Sequence, residues 1–137
     1  MPAFSQTSLS RLSTCRLQLQ ALANEVIKTI DCTVVCGHRG EEEQNAAYEA
    51  GNSLLMFPKS NHNVFPSNAI DLVPYIQFKG PTWENKQCYY FAGKVMMIAR
   101  QMNIHIRCGA DWDSDNDVND QTLFDPCHFE LIEEEDG

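Results

Sequence analysis

Residues 69–73 read Ala-Ile-Asp-Leu-Val, an apolar run bounded by a stretch at 52–68 rich in Pro, Ser and Asn and by Pro74. Such a run is a strand. Side chains alternate across a strand, so Ile70 and Leu72 share the core face and Asp71 points away from it. The same alternation recurs at 127–132, where Cys127, Phe129 and Leu131 make an apolar face while His128 and Glu130 project from the other. Two strands therefore offer polar side chains to one pocket.

Working outward, residues 32–37, CTVVCG, read as a short buried strand ending at Gly37, followed by a turn at His38, Arg39 and Gly40. Glu41, Glu42 and Glu43 favour a helix start and Gly51 suits its end. Upstream, Leu12, Cys15, Leu19, Leu22, Val26 and Ile30 fall at the spacing of one helix face, which predicts a helix over about 8–29. Downstream, Thr82 is placed to cap a helix whose buried face is Cys88, Phe91, Val95, Ile98 and Met102. A strand at 104–108 and an acidic loop at 111–120 follow, and the tail at 133–137 is expected to fray. The elements do not alternate as a doubly wound sheet requires. The expectation is an α+β fold: a small antiparallel sheet of about four strands packed with about three helices, in a single domain spanning 1–137.

The bulk properties narrow the function. The chain has 137 residues, 43% of them hydrophobic, enough for one core. A formal charge of -9, from 19 acidic against 10 basic residues, disfavours nucleic acid as a partner. The first twenty residues carry no continuous apolar stretch, so neither a signal peptide nor a membrane-inserted helix is expected. Six cysteines, at 15, 32, 36, 88, 108 and 127, form no C-x-x-C pair and read as reduced, mostly buried thiols.

Catalytic zinc needs about three protein ligands from His, Asp, Glu or Cys and one open position. His62 lies in the irregular loop, nine residues before Asp71, and His128 faces the same pocket from another strand. On residue types alone a surface histidine remains the competing reading.

The wording around these residues is more specific. The segment SNHNVFPSNAIDLVPY, Ser60 to Tyr75, resembles the S-x-H…A-x-D signature of the zinc D-alanyl-D-alanine carboxypeptidases and the related phage L-alanyl-D-glutamate endolysins. FDPCHFEL, Phe124 to Leu131, resembles that family's D/E-x-x-H motif, and GADWD, Gly109 to Asp113, its G-x-D-W segment. CGHRGEEEQ resembles its G-x-R…Q element, with Arg39 and Gln44 at the matching positions, so the likeness spans 32–131.

The resemblance implies that His62, Asp71 and His128 hold one zinc ion per chain, that Asp125 is the general base and that Arg39 steadies the substrate carbonyl or oxyanion. It implies substrate contacts from Gln44 and Trp112. Gln44 has a helix-surface residue as its alternative, and Trp112 has simple packing. Zinc lowers the pKa of bound water to about 7 and a carboxylate takes the proton, which makes the set chemically coherent. The function implied is hydrolysis of peptidoglycan stem peptides, at L-alanyl-D-glutamate or D-alanyl-D-alanine bonds, by a monomeric endolysin. Such a protein is made in the cytoplasm and acts on the wall after release or delivery. The rival is a non-catalytic, zinc-stabilised wall- or peptide-binding module of the same fold. The sequence departs from the pattern in a longer His-to-Asp spacing and in Pro126 and Cys127 between Asp125 and His128.

Three further readings concern single residues. Asp113, Asp115 and Asp117 stand like positions one, three and five of a calcium loop, but Val118 replaces the Gly of the sharp turn and Phe124 the bidentate Glu. A calcium site and a solvated acidic loop both remain open. His38 either lines the site or is a solvated turn residue. Glu130 shares the face of His128 and is a candidate to support it from behind or to serve as substitute base.

Overall fold

The computed structural model describes residues 2–112, 114, 116–119 and 125–132. Its elements are α1 (Gln6–Leu12), α2 (Leu17–Thr29), β1 (Cys32–Cys36), α3 (Glu41–Glu49), a 3-10 turn at Asn61–Asn63, β2 (Ala69–Ile76), β3 (Gly80–Pro81), α4 (Asn85–Gln101), β4 (Ile106–Gly109) and β5 (Asp125–Leu131). The sheet is antiparallel throughout, in the order β1-β2-β5-β4, with the short β3 paired to the end of β2. The fold is the expected α+β class. None of the described helices is long and apolar enough to cross a membrane.

One helix was expected over 8–29 and the chain forms two. The Ser13 and Thr14 hydroxyls donate back to the carbonyls of Ser10 and Arg11, both at 2.6 Å, and so satisfy groups at the end of α1. The chain then leaves the helical path to bond with the segment before β2: Ser67 N–H donates to Thr14 O at 2.8 Å and Arg16 N–H to Ser67 O at 3.0 Å. Leu12, Cys15 and Leu19 nevertheless all stay in the core, so the apolar period runs unbroken across the gap. Gly37 is required by this corner, since a Cβ there would collide with Thr14 Oγ1 and the Arg11 carbonyl.

A smaller correction concerns α4. Its N-cap is Glu84, whose carboxylate accepts from Gln87 N–H at 2.8 Å, while Thr82 Oγ1 accepts from Glu84 N–H two residues earlier. Cys88, Phe91, Ala92, Val95 and Ala99 form its buried side, with Ile98 and Met102 half-buried at the margin.

The sheet has two unlike faces. Ile70 and Leu72 of β2 and Phe129 of β5 point into one core with Leu19, Leu22, Val26 and Phe91 from the helices; the rings of Phe91 and Phe129 meet edge-on with centroids 6.3 Å apart. On the opposite face the strand register lines up polar residues. Cys36 of β1 pairs with Asp71 of β2, and Asp71 with His128 of β5, so one row crosses three strands. The next row pairs Ala69, Glu130 and Arg107.

Phe91→Ala removes a fully buried ring from the core without touching the polar face. It should cost about 3–5 kcal/mol in urea unfolding, since it combines lost burial with a cavity.

Candidate metal centre

The polar face converges on three atoms. His62 Nε2 lies 3.2 Å from Asp71 Oδ1 and 3.2 Å from His128 Nδ1, and His128 Nδ1 lies 3.1 Å from Asp71 Oδ1. The three expected ligands, read from a loop and two strands, thus form a nearly equilateral triangle.

The tautomers follow from the partners. His62 Nδ1 is 2.6 Å from the Gly37 carbonyl, which can only accept, so Nδ1 carries the hydrogen and Nε2 presents its lone pair. His128 Nε2 is 2.8 Å from Glu130 Oε1, so Nε2 is the donor and Nδ1 presents its lone pair. Three electron-rich atoms at this separation repel unless a proton or a metal ion sits among them. Tetrahedral zinc with bonds near 2.0–2.2 Å separates its ligand atoms by about 3.3–3.6 Å, a little more than these edges, so the residues present fit zinc with a small opening of the triangle.

The electrostatics carry the same demand. Burial opposes an imidazolium at His62 and at His128, yet the Asp71 carboxylate outweighs it and lifts both above the usual imidazole range. Burial likewise disfavours ionised Asp71, but the two histidines hold it well below the usual carboxylate range. The metal-free centre therefore stores protons where an ion would sit.

Each ligand is held from behind. His62 is the middle residue of the 3-10 turn that Ser60 caps, and its carbonyl accepts from Arg39 N–H at 2.7 Å. Glu130, buried, accepts from Asn61 Nδ2 at 2.6 Å and Arg107 at 2.7 Å as well as from His128. Burial would raise the Glu130 pKa, but His128, then Arg107, draw it down to about 2. Both its oxygens are engaged, Oε1 by His128 and Oε2 by Asn61 and Arg107. Trp112 tilts against the His128 ring with centroids 5.2 Å apart, and Arg107 lies 5.5 Å over the indole.

Arg39 stands 3.6 Å from Asp71 Oδ2 and donates to Gln44 Oε1 at 3.0 Å. Gln44 is fully buried, which overturns its surface alternative. Its amide donates to Leu55 O at 2.6 Å and Ser53 Oγ at 3.0 Å, and Asn63 Nδ2 bonds both Gln44 Oε1 and Arg39 O. Asp125 opens β5 beside Gly109, where a Cβ would collide with the Asp125 carbonyl. Burial, then the negative charge of Asp71, raise its carboxyl to about 6 against the pull of His128, His62 and Arg39.

His38 packs edge-on against Phe65, centroids 5.4 Å apart, and no described contact joins it to the triangle. Asp113 and Asp115 lie outside the described residues; Asp117 is exposed and accepts from Asn119 N–H at 2.9 Å. Sequence reasoning missed Cys36, whose Sγ is 3.7 Å from His62 Nδ1, and the Asn61 and Arg107 clamp on Glu130. The signal for Cys36 was its strand register, which periodicity alone does not supply.

An α+β sheet carrying a two-histidine, one-aspartate triangle, with a carboxyl and a guanidinium beside it, defines a candidate mononuclear metal-dependent hydrolase. Comparison with known proteins makes this specific. Residues 2–132 match the family model described as phage L-alanyl-D-glutamate peptidase. The chain is 28% identical over 135 residues to the L-alanyl-D-glutamate peptidase of Escherichia phage T5, covering 94% of this chain and 97% of that protein. Its fold matches the crystal structure of the Serratia marcescens L-Ala D-Glu endopeptidase ChiX with a TM-score of 0.74 at 22% identity, over 95% of this chain and 90% of the other. This chain belongs to the phage L-alanyl-D-glutamate peptidase family.

Two measurements test the centre. Zinc must displace protons from the histidine pair, which Asp71 raises to about 10 at His62 and about 9 at His128, so apparent affinity should keep rising with pH from neutrality through about pH 9, with proton release detectable in weak buffer. Glu130→Gln should keep the fold and weaken zinc affinity about 10–100-fold in a chelator competition, as expected for loss of a ligand's supporting carboxylate.

Proposed function

We propose that this chain is a zinc-dependent endopeptidase that cuts the bond between L-alanine and D-glutamate in bacterial peptidoglycan stem peptides, acting as an endolysin. Family membership supports the reaction class, and the phage T5 relative, matched over nearly its whole length, supports this bond over the D-alanyl-D-alanine alternative. The observation that carries the mechanism is the donor triangle of His62, Asp71 and His128 with Asp125 in electrostatic contact with it.

In this reading His62 Nε2, Asp71 Oδ1 and His128 Nδ1 hold the ion. Zinc, when bound, supplies Lewis acidity that acidifies water and polarises a carbonyl oxygen. Asp125 takes the proton as water attacks and later returns one to the leaving amine. A carboxyl raised to about 6 suits both directions of transfer near neutral pH. Arg39 faces the developing oxyanion, where a fixed cation stabilises charge that the ground state lacks. Gln44 and Asn63 hold Arg39 in position, and Trp112 walls the cleft beside His128. A purely structural or binding site has no use for Asp125, which disfavours the non-catalytic rival. The product acts on the wall after release or delivery from the cell that makes it.

Asp125→Asn keeps the size of the side chain and removes the basic oxygen. It should retain one zinc per chain and lose about 10²-fold or more in the rate of peptidoglycan cleavage. Mass spectrometry of digested peptidoglycan should find new D-glutamyl amino termini with the wild type. A folded, zinc-loaded wild type that releases none, or an Asp125→Asn variant cutting at the wild-type rate, would overturn the reading.

A further inference from the structure

The strand β1 carries a bulge between Val34 and Cys36: Val34 pairs with Leu72 and Cys36 with Asp71, leaving Val35 as the extra residue. Val34 is fully buried in the core opposite Leu72. Residues paired across antiparallel strands project from the same face, so the bulge turns Cys36 to the face of Asp71, opposite Val34. A regular strand would have sent residues 34 and 36 the same way. Cys36 thereby joins Asp71 and His128 in one row across the sheet.

The consequence is a second donor set. One ligand atom from each of Cys36, His62 and Asp71 lies within 4.8 Å of the others, with Cys36 Sγ 3.7 Å from His62 Nδ1, the nitrogen bonded to the Gly37 carbonyl, so that His62 would ligate through Nε2. All six cysteines are free thiols, and Cys36 is the one that is half-buried while the other five are buried. The triangle with His128 has edges of 3.1–3.2 Å and suits the short bonds of zinc to nitrogen and oxygen. The set with Cys36 is wider and holds a thiol, which suits a larger, softer cation with longer bonds to sulfur.

We propose that Cys36, His62 and Asp71 form a binding mode of this centre for thiophilic divalent cations of the cadmium class, with Cys36 as the thiolate ligand. The thiol proton leaves to solvent as the metal–sulfur bond forms, so no oxidant or reductant is needed. Both modes use His62 and Asp71, and the centre therefore holds one ion at a time, either on His128 or on Cys36. The inference rests on the reading of His62 and Asp71 as ligands and goes beyond it in the residue and the metal class.

Cadmium ions titrated into the chelator-treated full chain test it, with thiolate-to-cadmium charge-transfer absorption in the ultraviolet as the readout. The wild type should develop the band to an endpoint at one equivalent, His128→Ala should keep it, and Cys36→Ser should lose it while still binding zinc. Cadmium binding without the band, with loss of binding in His128→Ala, would overturn this inference and leave the zinc centre standing. A band that survives in Cys36→Ser would also overturn it, because another thiol would then be the ligand. A folded wild type that binds neither cadmium nor zinc would overturn both readings.

Discussion

His62 Nε2, Asp71 Oδ1 and His128 Nδ1 lie within 3.2 Å of one another, and the other nitrogen of each ring is committed to an acceptor. Without a proton or a metal ion among them, three lone-pair atoms at this range repel, and burial deepens the cost because the interior screens charge poorly. The rest of the fold counters that repulsion. On the far side of the same sheet, Ile70, Leu72 and Phe129 pack with α2 and α4 into one apolar core. Burial there fixes the strands whose opposite faces carry Asp71 and His128. A cation at the triangle converts the repulsion into attraction, which links metal uptake to the stability of the polar face.

The same economy governs the surroundings of the site. Glu130 and the Gly37 carbonyl select the tautomers, and Asn61 and Arg107 hold Glu130 in turn. Gln44, itself anchored by Leu55 and Ser53, holds Arg39, and Asn63 ties the pair together. Apart from Arg107 Nε, which has no hydrogen-bond partner among the described residues, these partly or wholly buried polar groups are acceptable there because their partners are present. The 3-10 turn serves both halves: Asn61 reaches Glu130, His62 enters the triangle and Asn63 reaches Arg39. Three consecutive residues therefore set the relation between the metal, the strand behind it and the cation beside it.

Much of this arrangement was legible before any coordinates. Period-two alternation placed Asp71, His128 and Glu130 on the face opposite the core, and the motifs around them assigned His62, Asp125 and Arg39 to one site. The break between α1 and α2 was not legible, because Leu12, Cys15 and Leu19 keep a helical apolar period across it. What breaks the helix is backbone pairing with Ser67, more than fifty positions away, and side-chain periodicity does not record a backbone partner. Gln44 read equally well as a surface residue for a related reason: α3 has little apolar character, and the burial of Gln44 comes from the 53–55 segment folding over it.

The sequence by itself determined the α+β class, the two-faced strands and the identity of the residues at the polar face, because hydrophobic period and motif wording are local properties of the chain. Tertiary structure decided the register, and register decided the chemistry. Pairing Asp71 with His128 brings two ligands side by side, and the bulge after Val34 puts Cys36 next to them. A shift of one residue in either ladder would have turned these side chains to the opposite face. Inter-strand backbone hydrogen bonds and the packing of the core fix that choice, and both join parts of the chain that no local stretch of sequence contains together.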